Sequence, residues 1–135
     1  MDWKLEVVVV PVSDVDRSLR FYREQVGFAV DHDTRISDEL RVAQLTPPGS
    51  ACSIAIGTGL VEAPPGSAQG LQLVVADIEA ARAQLVGRGV QVSPIQHYEG
   101  ATRVEGRGGT WNSFVFFEDP DGNDWAVQQL PRWSE

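Results

Sequence analysis

One pattern occurs twice in the sequence, and its two copies lie 63 residues apart. Residues 10–15 (VPVSDV) and residues 73–78 (LVVADI) both pass from an apolar run through an aspartate to an apolar residue. Asp14 and Asp77 each offer a side-chain oxygen that can cap the first turn of a helix. An internal repeat of this length predicts two similar modules that pack against each other, because one module alone cannot cover both faces of its sheet.

The apolar runs predict the same element order in both halves, a strand, a helix and three further strands. The first helix has an apolar face at i, i+4, i+7 and i+11 that starts at Val15, and Gly27 ends it. Gly87 and Gly89 end the second helix. The glycine-rich residues 100–109 predict a flexible loop. The predicted strands are residues 5–12, 28–33, 40–46, 51–57, 71–75, 90–95, 111–117 and 125–130.

The boundaries of the two modules follow from the linker between them. A chain of 135 residues is the length of one domain and can bury its own core. Residues 62–68 (EAPPGSA) lack strand or helix periodicity and predict a linker. We therefore predict a single α+β domain with tandem βαβββ modules, module one at residues 1–61 and module two at residues 69–135.

The composition excludes several classes of function. The formal net charge of −8 disfavours nucleic-acid binding, which needs a basic face to neutralise phosphates. The longest apolar run, residues 7–12, is far too short to span a membrane, and no signal peptide is visible. The one cysteine, Cys52, has no partner in the chain for a disulfide. Together these features predict a cytoplasmic protein that binds neither nucleic acid nor membrane.

Two motifs resemble a known family. Residues 11–22 (PVSDVDRSLRFY), followed by residues 26–28 (VGF), resemble the opening of the vicinal-oxygen-chelate proteins, which include glyoxalases, bleomycin-resistance proteins and dioxygenases. Residues 117–123 (FEDPDGN) resemble the closing turn of the same superfamily. With the internal repeat, the resemblance covers nearly the whole chain. It implies that the two halves form curved mixed sheets around a cavity and that the protein is a homodimer.

The resemblance also implies where a metal would sit, because enzymes of the superfamily such as glyoxalase I hold a divalent ion in the cavity. The corresponding positions in this sequence are Val7, Ala55, Gly70 and Ala126. Their side chains offer no lone pair to a metal, so we expect no metal and no other cofactor. An alternative site at His97, Glu99 and Glu105 is disfavoured, because histidine and glutamate in loops are usually solvated.

The aromatic residues point to a ligand site. In the bleomycin-resistance branch, a tryptophan eight residues before the closing turn stacks on the flat rings of the drug, and Trp111 matches it. The position that completes the clamp across the dimer is His32. Phe114 and Phe116 alternate on the strand after Trp111 and belong either to an apolar wall of the site or to the core. Trp125 is predicted to pack beneath a helix.

These residues favour binding over catalysis. The predicted polar groups that orient the ligand are His97, Tyr98, Arg103 and Gln128. We expect a non-catalytic dimer that sequesters a flat aromatic natural product such as an antibiotic, with stacking contributing about 0.5–1.5 kcal/mol per aromatic pair. The alternatives are an enzyme of the same fold, a lyase, isomerase or dioxygenase with an atypical or absent metal, and a sensor or carrier of a metabolite.

Overall fold

The computed structural model describes residues 1–131 and has the predicted α+β architecture, with a mixed sheet of four strands and a mixed sheet of five. The chain divides into two units. The first comprises residues 1–68 together with the turn at residues 119–123, and the second comprises residues 69–118 and 124–131. Within residues 1–131 no helix is both long enough and apolar enough to cross a membrane.

The first unit contains a four-stranded sheet with the strand order β1-β4-β3-β2. β1 pairs in parallel with β4, whereas the other neighbours are antiparallel. Helix α1 is followed directly by a π-helical segment. The element bounds are β1 Val7–Val9, α1 Val15–Arg20, the π-helical segment Phe21–Val26, β2 Ala29–Arg35, β3 Arg41–Thr46 and β4 Ser53–Thr58.

The first helix begins and ends as the sequence predicts. The carboxylate of Asp14 accepts the backbone N–H of Arg17 at 3.1 Å, and Gly27 ends the π-helical segment with a φ of 93°. The predicted apolar face is only partly correct, because Val15 and Tyr22 are buried whereas Leu19 and Val26 are half-buried. The π-helical geometry adds a residue to the turn and so rotates the buried face.

The closing turn at residues 119–123 is locked by a buried carboxylate. Asp119 accepts backbone N–H groups from Asp121 at 3.0 Å and Asn123 at 2.9 Å. Its second oxygen accepts the Tyr22 hydroxyl and the Asn123 side-chain amide, both at 2.7 Å. Asn123 also donates to the carbonyl of Pro11 at 2.8 Å. The Asp-Pro-Asp-Gly sequence therefore forms a structural turn, as predicted.

The second unit contains a five-stranded sheet with the order β5-β9-β8-β6-β7. Asp77 caps α2 by accepting the N–H groups of Glu79 and Ala80, each at 3.1 Å, as predicted. β5 pairs in parallel with β9 and the other neighbours are antiparallel. The element bounds are β5 Leu71–Val75, α2 Ile78–Gly87, β6 Gln96–Glu99, β7 Thr102–Glu105, β8 Phe114–Glu118 and β9 Asp124–Gln129.

Three of the strand and loop predictions are wrong. β1 is only three residues long. The predicted strand at residues 90–95 is irregular, because Pro94 has no N–H to donate to a ladder. The predicted flexible loop at residues 100–109 contains a strand instead, because Gly100, with a φ of 64°, allows a tight two-residue hairpin turn between β6 and β7. The tryptophan near the C-terminal end of the sequence, Trp133, lies outside the described residues.

Candidate functional site

The second sheet has one face packed with apolar side chains and one face that is open. Val115, Phe117, Trp125 and Val127 alternate onto the first face, where α2 contributes Ile78 and Leu85. The burial of Trp125, which is 4% exposed and stacks on Phe117 with ring centroids 6.0 Å apart, confirms its predicted place in the core. The alternate residues of the two strands, Phe114 and Phe116 on β8 and Ala126 and Gln128 on β9, lie on the open face.

Three aromatic rings form a cluster on the open face. Phe114 and Phe116 stack with centroids 5.9 Å apart and an interplanar angle of 11°. Tyr98 meets them edge to face at 5.4 Å and 6.3 Å. Phe114 is buried, whereas Phe116 and Tyr98 are half-buried, so the cluster presents ring surface to the solvent. Aromatic surface held in this way is suited to stacking on another flat ring.

Arg103 covers part of the cluster. It lies opposite Tyr98 in the β6–β7 ladder, and its guanidinium carbon is 3.6 Å from the centroid of the Phe116 ring. Its Nε also makes a long contact of 3.4 Å to the Tyr98 hydroxyl. This geometry is a cation–π contact, in which the ring face attracts the positive charge.

Trp111, three residues before Phe114 in the chain, has a strained backbone conformation. It is the one non-glycine residue in the described chain with a positive φ, 64°, and its side chain is 45% exposed. The Nε2 of Gln128 donates to its carbonyl oxygen at 2.8 Å. Strain of this kind costs about 1–3 kcal/mol and persists only where the surroundings enforce it. An exposed tryptophan in such a conformation is a candidate for recognition.

Two supporting residues are absent from the sequence-based prediction. The side-chain amide of Asn112 forms the two hydrogen bonds to the Tyr98 backbone that a neighbouring strand would form. Its oxygen accepts the Tyr98 N–H at 2.8 Å, and its nitrogen donates to the Tyr98 carbonyl at 2.9 Å. Gln72 donates to the side chain of Gln128 at 2.7 Å and thereby orients it. Gln72 could have been found from its polar position between apolar neighbours on β5, whereas nothing in the local sequence marks Asn112.

The structure groups Tyr98, Arg103, Phe114 and Phe116 and links the Trp111 backbone to Gln128, but it places His97 apart from them. His97 lies on the opposite face of β6 from Tyr98, where its Nδ1 contacts the Gly106 carbonyl at 2.8 Å. Its predicted grouping with Tyr98 is therefore not seen, because strand alternation turns neighbouring side chains apart. His32 lies exposed on β2 in the first unit, opposite Gln44 and next to a break in the ladder register.

The residues at the superfamily's metal positions do not fit a metal. Val9, two residues after Val7, pairs with Ala55 in the first unit, and Ala126 pairs with Gln72 in the second. Gly70 precedes β5. The apolar side chains at these positions provide no ligand. In the described part of the chain, no three His, Cys, Asp or Glu side chains are grouped closely enough to hold an ion.

The first unit has a concave surface of its own, a cavity of about 320 Å³. It lies where the ends of β1 and β4 meet the linker, and the residues lining it include Val10, Pro11, Leu60 and Pro64. None of the predicted ligand-binding residues lines this cavity. The aromatic cluster of the second unit therefore remains the candidate site.

Comparisons with known proteins agree with this fold. Residues 4–127 match the model of the Glyoxalase/Bleomycin resistance protein/Dioxygenase superfamily. An antibiotic binding protein from Streptomyces sp. CB03234, TnmS3, is 32% identical, with 96% of this chain and 98% of that chain covered and a TM-score of 0.77. A glyoxalase/bleomycin resistance protein from the same organism is also 32% identical, covering 93% of this chain and 100% of that chain, with a TM-score of 0.73.

A more distant structure shows the same likeness. A member of the superfamily from Sphaerobacter thermophilus DSM 20745 is 26% identical over 95% of this chain and 98% of that chain, with a TM-score of 0.75. No curated protein sequence matches the chain.

Proposed function

The chain belongs to the glyoxalase/bleomycin resistance protein/dioxygenase superfamily, and on that premise we propose that it is a non-catalytic protein that sequesters a flat aromatic natural product. The ligand is an antibiotic in this proposal, and resistance follows from keeping it bound. Stacking on aromatic side chains and desolvation supply the affinity, and the polar groups around the rings orient the ligand.

The observation that carries the proposal is the conformation of Trp111. A core tryptophan is buried in an unstrained backbone, but this one is 45% exposed with a φ of 64°. The hydrogen bond from Gln128 holds its backbone carbonyl, and Gln128 lies opposite Phe114 in the β8–β9 ladder. An exposed tryptophan has only two side-chain torsions, so it binds flat ligands at low entropic cost.

The likeness to a described antibiotic binder supports the choice of ligand. TnmS3 and this chain share 32% identity over nearly their full lengths. An enzyme of the same fold is the alternative, and its usual metal would need donors that Val7, Ala55, Gly70 and Ala126 do not supply.

The proposal includes a homodimer located in the cytoplasm. Met1, Trp3, Leu5 and Val7 recur at every second position, and all four are exposed. We propose that these four residues, which we call the N-terminal stripe, are buried against a second copy, because apolar side chains at alternate positions share one side of a strand. His32 remains part of the proposed ligand clamp, and the free thiol of Cys52 agrees with a reducing compartment.

Fluorescence titration tests this function directly. Polycyclic aromatic antibiotics are added to the wild-type protein and to Trp111→Ala, and tryptophan emission and calorimetric heats are recorded. We expect at least one compound to bind the wild type saturably, with about thirtyfold weaker binding to the variant, as for an aromatic hot spot worth about 2 kcal/mol. Mass spectrometry should recover that compound unchanged.

Two results would contradict the proposal. If no compound in the panel binds, the sequestration of a flat aromatic antibiotic is wrong. If a compound is consumed and a product accumulates with turnover, the protein is an enzyme and the alternative is correct.

A further inference from the structure

Arg103 occupies an unusual place on the open face of the second sheet. Its guanidinium lies over Phe116 with the Cζ atom 3.6 Å from the ring centroid, and the residue is exposed. One side of the guanidinium plane therefore contacts the ring, while its other side and its terminal N–H groups remain open. A planar cation held in this way can stack on a second ring and donate two parallel hydrogen bonds.

No carboxylate of the described chain lies within ion-pair distance of this cation. Other arginines are engaged, as Arg107 pairs with Glu79 at 3.1 Å and Arg41 with both Asp16 and Asp33 at 2.9 and 2.8 Å. The one side-chain hydrogen bond that Arg103 makes within residues 1–131 runs from its Nε to the Tyr98 hydroxyl, at 3.4 Å. Its terminal nitrogens are therefore available to a ligand.

We propose that the ligand is an aromatic acid, a planar ring system with a carboxylate or an ionised hydroxyl group. This inference rests on the proposed function and specifies the chemical class of its ligand. The ring stacks on the side chains of Tyr98 and Trp111, because the face of Phe116 is already covered by Arg103. The anionic oxygen meets the terminal N–H groups of Arg103, and the Tyr98 hydroxyl is within reach as a second donor.

The net charge of the protein works in the opposite direction. A charge of −8 attracts cations and repels an anionic ligand at long range. At physiological ionic strength, however, charges separated by more than about 8 Å are largely screened. A charge-assisted hydrogen bond at contact is shorter and stronger than a neutral one. The local contact with Arg103 therefore decides the preference, and an anion preference cannot be attributed to the overall charge.

Three ligands that share one ring system test the inference. Anthracene-2-carboxylate, its neutral carboxamide and the cationic 2-(aminomethyl)anthracene are titrated into the wild-type protein by calorimetry at 0.15 M salt. We expect the carboxylate to bind at least ten times more tightly than either of the others. In Arg103→Gln the ratio of carboxylate to carboxamide affinity should fall to about one. Arg103→Lys should fall between the two proteins, because it keeps the charge but loses the planar donor pair.

Arg107→Gln is the matched control, because it removes an exposed arginine of the same unit that pairs with Glu79 rather than with an aromatic ring. It should leave all three affinities within twofold. Equal binding of the carboxylate and the carboxamide to the wild type, or an unchanged ratio in Arg103→Gln, would overturn the inference while leaving the proposed function intact. Failure of all three probes to bind would also overturn it, and the antibiotic titration then decides the proposed function separately.

Discussion

Gln128 donates a hydrogen bond of 2.8 Å from its side-chain amide to the backbone carbonyl of Trp111, seventeen positions earlier in the chain. The bond joins strand β9 to the loop before β8. Gln72 in turn donates to the side-chain oxygen of Gln128 at 2.7 Å, so the orientation of the amide is fixed from both ends. Two successive hydrogen bonds, from Gln72 to Gln128 and from Gln128 to Trp111, therefore hold the backbone carbonyl of this exposed tryptophan.

Gln128→Leu should weaken ligand binding without unfolding the protein. The change removes the donor to the Trp111 carbonyl, and a typical hydrogen bond contributes about 1 kcal/mol, which corresponds to roughly fivefold in affinity. Calorimetric titration measures the change. Gln72→Leu should cause a smaller loss of affinity, because it removes the contact that orients the Gln128 amide but leaves the donor to Trp111 in place. Equal losses in both variants would show that the bond to Trp111 does not organise the site.

Trp111→Gly should be more stable than Trp111→Ala, which reverses the usual order of these two residues. At a φ of 64° a Cβ atom is unfavourable, so alanine retains the backbone strain that glycine avoids, at a difference of about 1 kcal/mol. Urea unfolding of both variants measures it. Both should bind the ligand equally poorly. A more stable alanine variant would mean that the loop relaxes to a negative φ once the indole is removed.

Trp125→Ala provides the complementary test. Because Trp125 is 4% exposed and stacks on Phe117, its truncation should lower the free energy of unfolding by about 3–5 kcal/mol. Trp111→Ala should change that free energy far less. If the two variants exchanged these behaviours, the assignment of the two faces of the second sheet would be wrong.

The sequence predicts the architecture well because local and repeated signals agree. The two aspartate caps, Asp14 and Asp77, hold their helices as expected, and β5 spans the predicted residues. The closing turn forms because Asp119 can bond its own backbone two and four residues on. Such contacts join residues that are close in sequence, so the sequence pattern is enough to predict them.

Features set by tertiary contacts were not predictable in the same way. The glycine-rich residues 100–109 predict a loop, whereas they form the turn of the β6–β7 hairpin and the strand β7. The bonds from Asn112 to Tyr98 and from Gln128 to Trp111 join residues 14 and 17 positions apart, and no local periodicity reveals them. Strand alternation places His97 and Tyr98 on opposite faces of β6. That prediction requires the bounds of β6, which the sequence alone does not give.

Tyr22→Phe should destabilise the first unit through its closing turn. The hydroxyl donates to Asp119 at 2.7 Å in a buried site, and Tyr22 is 0% exposed. Loss of a hydrogen bond to a charged group costs about 1.5–3 kcal/mol, and chemical denaturation measures it. The control is Tyr98→Phe, because within residues 1–131 the Tyr98 hydroxyl makes only the 3.4 Å contact to Arg103 and should matter little to stability. Similar losses in both would show that the Asp119 contact is not special.

The stability of the fold should fall at acidic pH in part through Asp33. The hydrogen bond from Arg41 holds the pKa of the Asp33 carboxyl below its usual value of 3.8. A lowered pKa contributes stability above pH 3.8, and that contribution is lost as the pH falls through the lowered value. Asp33→Asn should therefore flatten the decline in unfolding free energy between pH 5 and pH 2. Asp38→Asn, at an exposed position, should leave the decline unchanged.

The N-terminal stripe should control the oligomeric state. Trp3 and Leu5 are 87% and 68% exposed, and their burial against a second copy would remove apolar surface from water at about 25 cal/mol per Å². Sedimentation at micromolar concentration should give about twice the 14.7 kDa chain mass for the wild type. The double variant Trp3→Asp with Leu5→Asp should sediment as a monomer and retain its circular dichroism spectrum. Val86→Asp, at an exposed apolar residue on α2, should remain a dimer. A wild-type monomer would rule out the dimer, whereas a double variant that stays dimeric would place the contact on another surface.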